Sequence, residues 1–365
     1  MRFRAGHSPL MATVLTAAVF TACGQQSSQP ADPSTYTVLV GAEGGSNMVD
    51  GTAHPRWAID SYYPKVIDVN EGDTVVWAQS SQELHTVTFL NAGAAAEPFQ
   101  IPESATSPRF IINPLTAFKV GAATYDGTGY HNSGIMDLSP VNAHEYKLTF
   151  TKAGTYNYLC SVHGSTAPDG SVVGMTGTVV VHPRGTARQK TPTQVVADAA
   201  ARVLTDQAAA LALEATAAQV PAPTVSGGVT TYHVNLGYDN NAFELMRFLP
   251  SDLTVHVGDR VIFTNPNMHA PHTVTFTSGA AAPALIQPEP QPSGPPLLVF
   301  NPIAVLPSGG TTYKGTGYLN SGVLSGQMDP GPHSVTFIFT AAGMFKYICV
   351  FHADMGMSAH VTVLP

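Results

Sequence analysis

The sequence predicts an all-β chain of two tandem Greek-key β-sandwiches joined by an Ala-rich helical linker, and three observations lead there. The first is an internal repeat. Glu83–Phe89 (ELHTVTF) recurs as Ala270–Phe276 (APHTVTF), Gly127–Gly134 as Gly315–Gly322, and Ala153–Cys160 as Ala342–Cys349, at an offset of 187 to 189 residues. The second is a period of two within each copy: Tyr146, Leu148 and Phe150 alternate with Glu145, Lys147 and Thr149, the pattern of a strand with one buried face. The third is composition. Only 11% of residues are charged, while 33 Gly and 29 Pro favour short strands and frequent turns. A chain of 365 residues has room for more than one core.

Taken in order, residues 1–23 read as an export signal. Arg2 and Arg4 give a positive start, and Leu10 to Ala22 is an apolar run too short to span a bilayer. Phe20-Thr21-Ala22-Cys23, followed by the polar stretch 24–34, resembles the lipobox of bacterial lipoproteins. That resemblance implies a lipid anchor at Cys23 on an extracytoplasmic protein, periplasmic or cell-surface; the alternative is ordinary secretion with cleavage nearby. The first sandwich is expected over 35–183 and the second over 229–365. Strand-like runs stand at Tyr36–Val40, Thr74–Trp77, Thr86–Leu90 and Thr176–Val181, and their spacing predicts antiparallel sheets. The linker, 184–228, opens on Thr191-Pro192-Thr193-Gln194, a capping box with Pro at the first helical position. Its helix is expected to run to about Gln219 and to share one face among Val195, Val196, Ala199, Val203 and Leu211.

Three cysteines is an odd count, so a disulfide framework is not expected, and two of them fall at matching positions of the repeat. Cys160 is followed three residues later by His163, and Cys349 by His352; Met175 and Met357 come next, and His85 and His272 stand far upstream. A thiolate, two imidazoles and a weak thioether are the donor set of a blue-copper electron-transfer centre. The run from Cys349 through His352 to Met357, with Pro271-His272-Thr273-Val274 upstream, resembles the plastocyanin/azurin-like blue-copper proteins, the cupredoxins. The resemblance covers both repeats. It implies two copper ions per chain, one held by His85, Cys160, His163 and axial Met175, the other by His272, Cys349, His352 and axial Met357. It also implies electron exchange through exposed imidazole edges of His163 and His352.

The copies differ in one respect that bears on the metal. Eleven residues separate His163 from Met175, against four between His352 and Met357, where Met355 is a second candidate axial donor. An insertion near Ser165 to Val173 either bulges outward or displaces the axial ligand. Among other histidines, His144 and His333 read as turn or edge residues and His269 as a loop residue, His131 faces Leu319 in the repeat and so is not a shared ligand, and Trp77, matched by Phe263, reads as core. The repeated Asn132-Ser133 and Asn320-Ser321 are expected to tie a loop beside each site through backbone hydrogen bonds.

These features favour an extracytoplasmic carrier of single electrons, not an enzyme. Its expected partners are redox proteins such as a c-type cytochrome or an oxidase, with no small-molecule substrate. The net charge of -8 and the absence of a Lys/Arg cluster exclude a nucleic-acid binder. Residues 35–183 hold 13 acids against 6 bases and residues 229–365 hold 7 against 4, so the first sandwich is the more acidic. Copper storage or handling is the alternative class. A two-domain copper oxidase or nitrite-reductase-like enzyme is a further one, disfavoured because no histidine adjoins either cysteine and no H-x-H pair occurs.

Overall fold

The computed structural model describes residues 32–49, 51–107, 109–240 and 242–365. The expected export signal and Cys23 lie outside the described residues. Two β-sandwiches form, each around its own buried cluster. Trp77, Phe89, Phe150 and Tyr158 centre the first, and Phe248, Phe263, Phe276 and Tyr347 the second. The rings meet edge-on or tilted, as with Trp77 and Tyr158 at 5.3 Å or Phe276 and Tyr347 at 5.3 Å. Such pairs contribute about 0.5–1.5 kcal/mol each beyond the area they bury.

The sheets are mixed where antiparallel pairing alone was expected. Thr35–Gly44 lies parallel to Thr74–Gln79, and Val66–Asn70 parallel to Val172–His182. Val229–Asp239 and Asp252–His256 repeat both pairings in the second sandwich. Alternation in sequence fixes which face of a strand is buried, and it is silent on the direction of the neighbour.

One sheet runs through both domains. Trp57–Tyr63 at the edge of the first pairs antiparallel with its repeat counterpart Phe243–Leu249, in the register Ile59 to Phe243, Ala58 to Glu244 and Trp57 to Leu245. Ile111 and Val299, also counterparts, pair in a second small sheet. Like pairing with like relates the domains by an approximate two-fold axis, as in an isologous dimer.

The linker helix, Pro192–Ala217, lies over this seam. Thr191 accepts from the Gln194 amide while the Gln194 side chain accepts from the Thr191 amide, so the capping box is complete. The buried face is Val195, Ala199, Asp206, Ala210 and Ala217; Val196 and Leu211 are exposed, contrary to the expected stripe. The helix follows the seam from one domain to the other, so its contact line is set by small residues at spacings of four and seven. Ala199 packs with Ile59 and Tyr63, and Ala210 and Ala217 with Trp57, Leu245 and Leu249. Glu214 pairs with Arg56 of the first domain and Arg247 of the second, at 3.2 and 2.8 Å.

Alternation along the seam then assigns the other face. Trp57, Ile59, Phe243 and Leu245 lie under the helix, which turns Ala58, Asp60, Glu244 and Met246 away from it. That second face is where the candidate metal centres lie.

Candidate metal centres

Each sandwich gathers its predicted donors at one end. In the first, His85 Nδ1 and His163 Nδ1 are 3.2 Å apart, and Cys160 Sγ lies 3.9 and 3.7 Å from them. In the second, His272 Nδ1 and His352 Nδ1 are 3.2 Å apart, with Cys349 Sγ at 3.6 and 3.5 Å. Donors held roughly 2.0–2.3 Å from a common ion stand about 3.2–3.9 Å from each other, so both clusters fit a metal. A thiolate and two imidazoles select copper by softness and geometry. Met175 is buried in the same core cluster as Cys160, and Met357 and Met355 in the same cluster as Cys349.

Local sequence explains the placement. The antiparallel ladder between Gly154–Thr166 and Val172–His182 breaks its register between Leu159 and Gly164, which bulges Cys160 to His163 out of the sheet. The long first loop resolves into a continuation of that hairpin: Gly164 pairs with Gly174, Ser165 with Val173 and Thr166 with Val172. The insertion therefore extends outward and leaves Met175 buried. In the second domain a tight turn does the same work, with the Cys349 and Met357 backbones bonded at 3.0 Å and His352 between them. The upstream histidines are fixed by paired backbone bonds, His85 to Met136 at 2.9 and 2.8 Å and His272 to Leu324 at 3.1 and 2.8 Å.

Both sulfurs receive a backbone donor, from Thr86 N at 3.4 Å and Thr273 N at 3.5 Å. The same threonine hydroxyls accept from the amides of Ser161 and Val350, locking the cysteine strand to the histidine strand. Asn132 donates to the carbonyls of Leu115, Thr116 and Phe118, and Asn320 to those of Ile303, Ala304 and Leu306. Ser133 and Ser321 accept from Val87 and Val274. The repeated Asn-Ser pair thus ties the neighbouring loop to the strand that carries the first histidine. His144 and His333 bond backbone carbonyls of Ser139 and Ser325, and His269 meets Asp329. His131 is buried beside Tyr125.

The two sites differ in their surroundings. His352 is only 6% exposed, which overturns the expectation that its edge faces solvent. The first domain covers it. Its Nε2 lies 3.7 Å from Glu83 Oε1 and 3.3 Å from Glu244 Oε1, and Gly356 of the ligand loop abuts His54. The His163 side chain is 18% exposed, with Asp60 Oδ1 at 3.6 Å from its Nδ1. Glu83, Glu244 and Asp60 escaped the sequence reading because the repeat does not carry them. The counterpart of Glu83 is Ala270, and the register of the seam pairs Glu244 with Ala58. A charge inside the apolar run Phe243-Glu244-Leu245-Met246 was the available signal.

Burial holds His85 and His272 well below the usual imidazole range, and the partner histidine at each site adds to this. Burial also lowers His352, against the pull of Glu83. For His163, burial is outweighed by Asp60 and Cys160, and its pKa is raised. The Cys349 thiol is pushed up to about 12 by burial, so a metal must displace its proton. Burial raises Asp60, Glu83 and Glu244 as well.

Residues 232–364 match the model of the copper binding proteins, plastocyanin/azurin family. Solved structures similar to this chain include an amicyanin variant, 20% identical over 40% of this chain and 97% of that one, with a TM-score of 0.22. The plastocyanin of Dryopteris crassirhizoma is 19% identical over 36% of this chain and 99% of its own, TM-score 0.22. Auracyanin of Roseiflexus castenholzii is 18% identical over 37% and 97%, TM-score 0.22. A search of curated proteins found no match. The family match thus falls on the second sandwich, which is similar to the copper binding proteins of the plastocyanin/azurin family.

Proposed function

We propose that the chain is an extracytoplasmic blue-copper protein that carries single electrons between redox partners, with one copper in each sandwich. The observation that carries this reading is the pair of Nδ1, Sγ, Nδ1 triangles, each with a methionine buried in the same core. Bound copper would supply the one-electron couple between Cu(I) and Cu(II). The chain's own residues do the rest. The bulged hairpin, the Asn-Ser ties and the paired bonds to His85 and His272 hold the donors in one geometry, which suits a centre that must not rearrange when its charge changes. His163, the more open of the two loop histidines, is the electron port towards a partner such as a c-type cytochrome or an oxidase. The export signal and Cys23 would tether the protein to a membrane outside the cytoplasm. No helix among the described residues is long and apolar enough to cross one.

Repeated reduction and reoxidation of the copper-loaded full chain, with desalting between cycles, tests this against copper handling. A carrier keeps its metal and recovers its blue absorption in every cycle. Loss of copper on reduction would make the protein a copper store or donor instead.

A further inference from the structure

We propose that Glu83, Glu244 and the outer nitrogen of His352 hold a third metal ion in the seam between the domains, a divalent cation of borderline softness such as Zn(II) or a non-blue Cu(II). The three donor atoms lie within 4.8 Å of one another, with His352 Nε2 at 3.3 Å from Glu244 Oε1 and 3.7 Å from Glu83 Oε1. Charge-assisted hydrogen bonds run shorter, about 2.7–2.9 Å. Donors around a tetrahedral ion at roughly 2.0–2.2 Å stand about 3.3–3.6 Å apart, close to the 3.3 and 3.7 Å from His352 Nε2 to the two carboxylates.

A second observation is independent of that spacing. Glu83 Oε1 and Glu244 Oε1, on side chains 9% and 6% exposed, have no hydrogen-bond partner. Leaving carboxylates unpaired in the interior costs several kcal/mol. Neither has an arginine or lysine to meet the cost: among the described residues both pair with histidine alone, while Arg56 and Arg247 meet Glu214 on the opposite face of the sheet. His272 Nε2 is likewise unpartnered and lies 3.9 Å from Glu244 Oε1.

The site also has a provenance that packing does not explain. One carboxylate comes from each domain, and the repeat counterparts are the alanines Ala270 and Ala58. The donors therefore exist only in the assembled pair of sandwiches. One imidazole and two carboxylates suit zinc or copper better than calcium or magnesium, which favour oxygen donors alone. Three protein ligands leave a fourth position open for water. His352 would then bridge two metals, Nδ1 to the site beside Cys349 and Nε2 to the seam ion, which replaces the Nε2 proton.

The test adds zinc chloride to full chain carrying two equivalents of copper, desalts, and counts metals while recording the blue absorption. The proposal expects one zinc per chain, together with a shift of the absorption that depends on Cys349. It also expects zinc affinity at least about ten-fold weaker in Glu83→Gln and in Glu244→Gln, with the blue absorption retained as proof of folding. Retention of no metal beyond the two coppers would overturn it, as would zinc held equally well by both variants. Wild type loaded with copper alone in excess reports on the same site by EPR, through a third, non-blue signal that both variants lose.

Discussion

The two candidate metal centres share their donor types and differ in almost everything around them. The first sits under an extended hairpin, with His163 partly open and the outer nitrogen of His85 bonded to Ser81 Oγ at 3.0 Å. The second sits on a short turn, is roofed by the other domain, and has its outer nitrogens turned towards two carboxylates. Duplication kept the parts that make a triangle of donors: the bulged cysteine strand, the Thr-to-sulfur amide and the Asn-Ser tie. It let the seam diverge, because the seam arises only when two copies meet. What a single domain inherits is a site; what the pair adds is a difference between sites.

The tie is the sharpest way to break the shared part. Asn132→Ala and Asn320→Ala each remove a donor shared by three carbonyls, leaving the buried Thr116 or Ala304 carbonyl without it while Tyr130 and Tyr318 still donate to Leu115 and Ile303, and each is expected to cost about 1–3 kcal/mol of stability, read by denaturant or thermal unfolding. Equal losses at the two positions would confirm that the tie is common to both copies. Breaking the difference takes Glu244→Gln. Because burial raises Glu244, the substitution removes a negative charge beside His352 only at pH above that raised pKa; there Cu(II) is disfavoured and the potential of the second site should rise on the order of 50–100 mV with the first moving less, by spectroelectrochemistry on singly loaded Cys160→Ser and Cys349→Ser backgrounds. A change confined to the first site would contradict the geometry. Shortening the first hairpin to the length of the second loop should leave copper bound beside Cys160, since the inserted residues pair with one another and not with the donors. The smallest effect belongs to Glu214→Ala, about 1 kcal/mol or less, because its two ion pairs are partly solvated.

Much of this was legible in the sequence. The repeat marked the donor residues, since Cys160, His163 and His85 stand in the same blocks as Cys349, His352 and His272, and period-two alternation marked the buried strand faces. The linker helix was legible at its start, where Thr191 and Gln194 cap it, but not in its facing, because Ala-rich sequence offers many equivalent stripes and the seam selects one. Strand direction was not legible either. The acidic lining of the seam was hidden for a stronger reason. Glu83, Glu244 and Asp60 are far apart in sequence, have no repeat counterparts, and meet only through the pairing of Trp57–Tyr63 with Phe243–Leu249. For the same reason His352, an exposed edge by analogy, is buried in this chain.

Whether each sandwich holds one blue copper is tested most directly by copper counting with EPR on the loaded chain. Two blue Cu(II) signals are predicted in the wild type, with Cys160→Ser removing one and Cys349→Ser the other, each leaving its partner intact. A wild type that holds one blue copper, or none, would contradict the assignment of a centre to each domain.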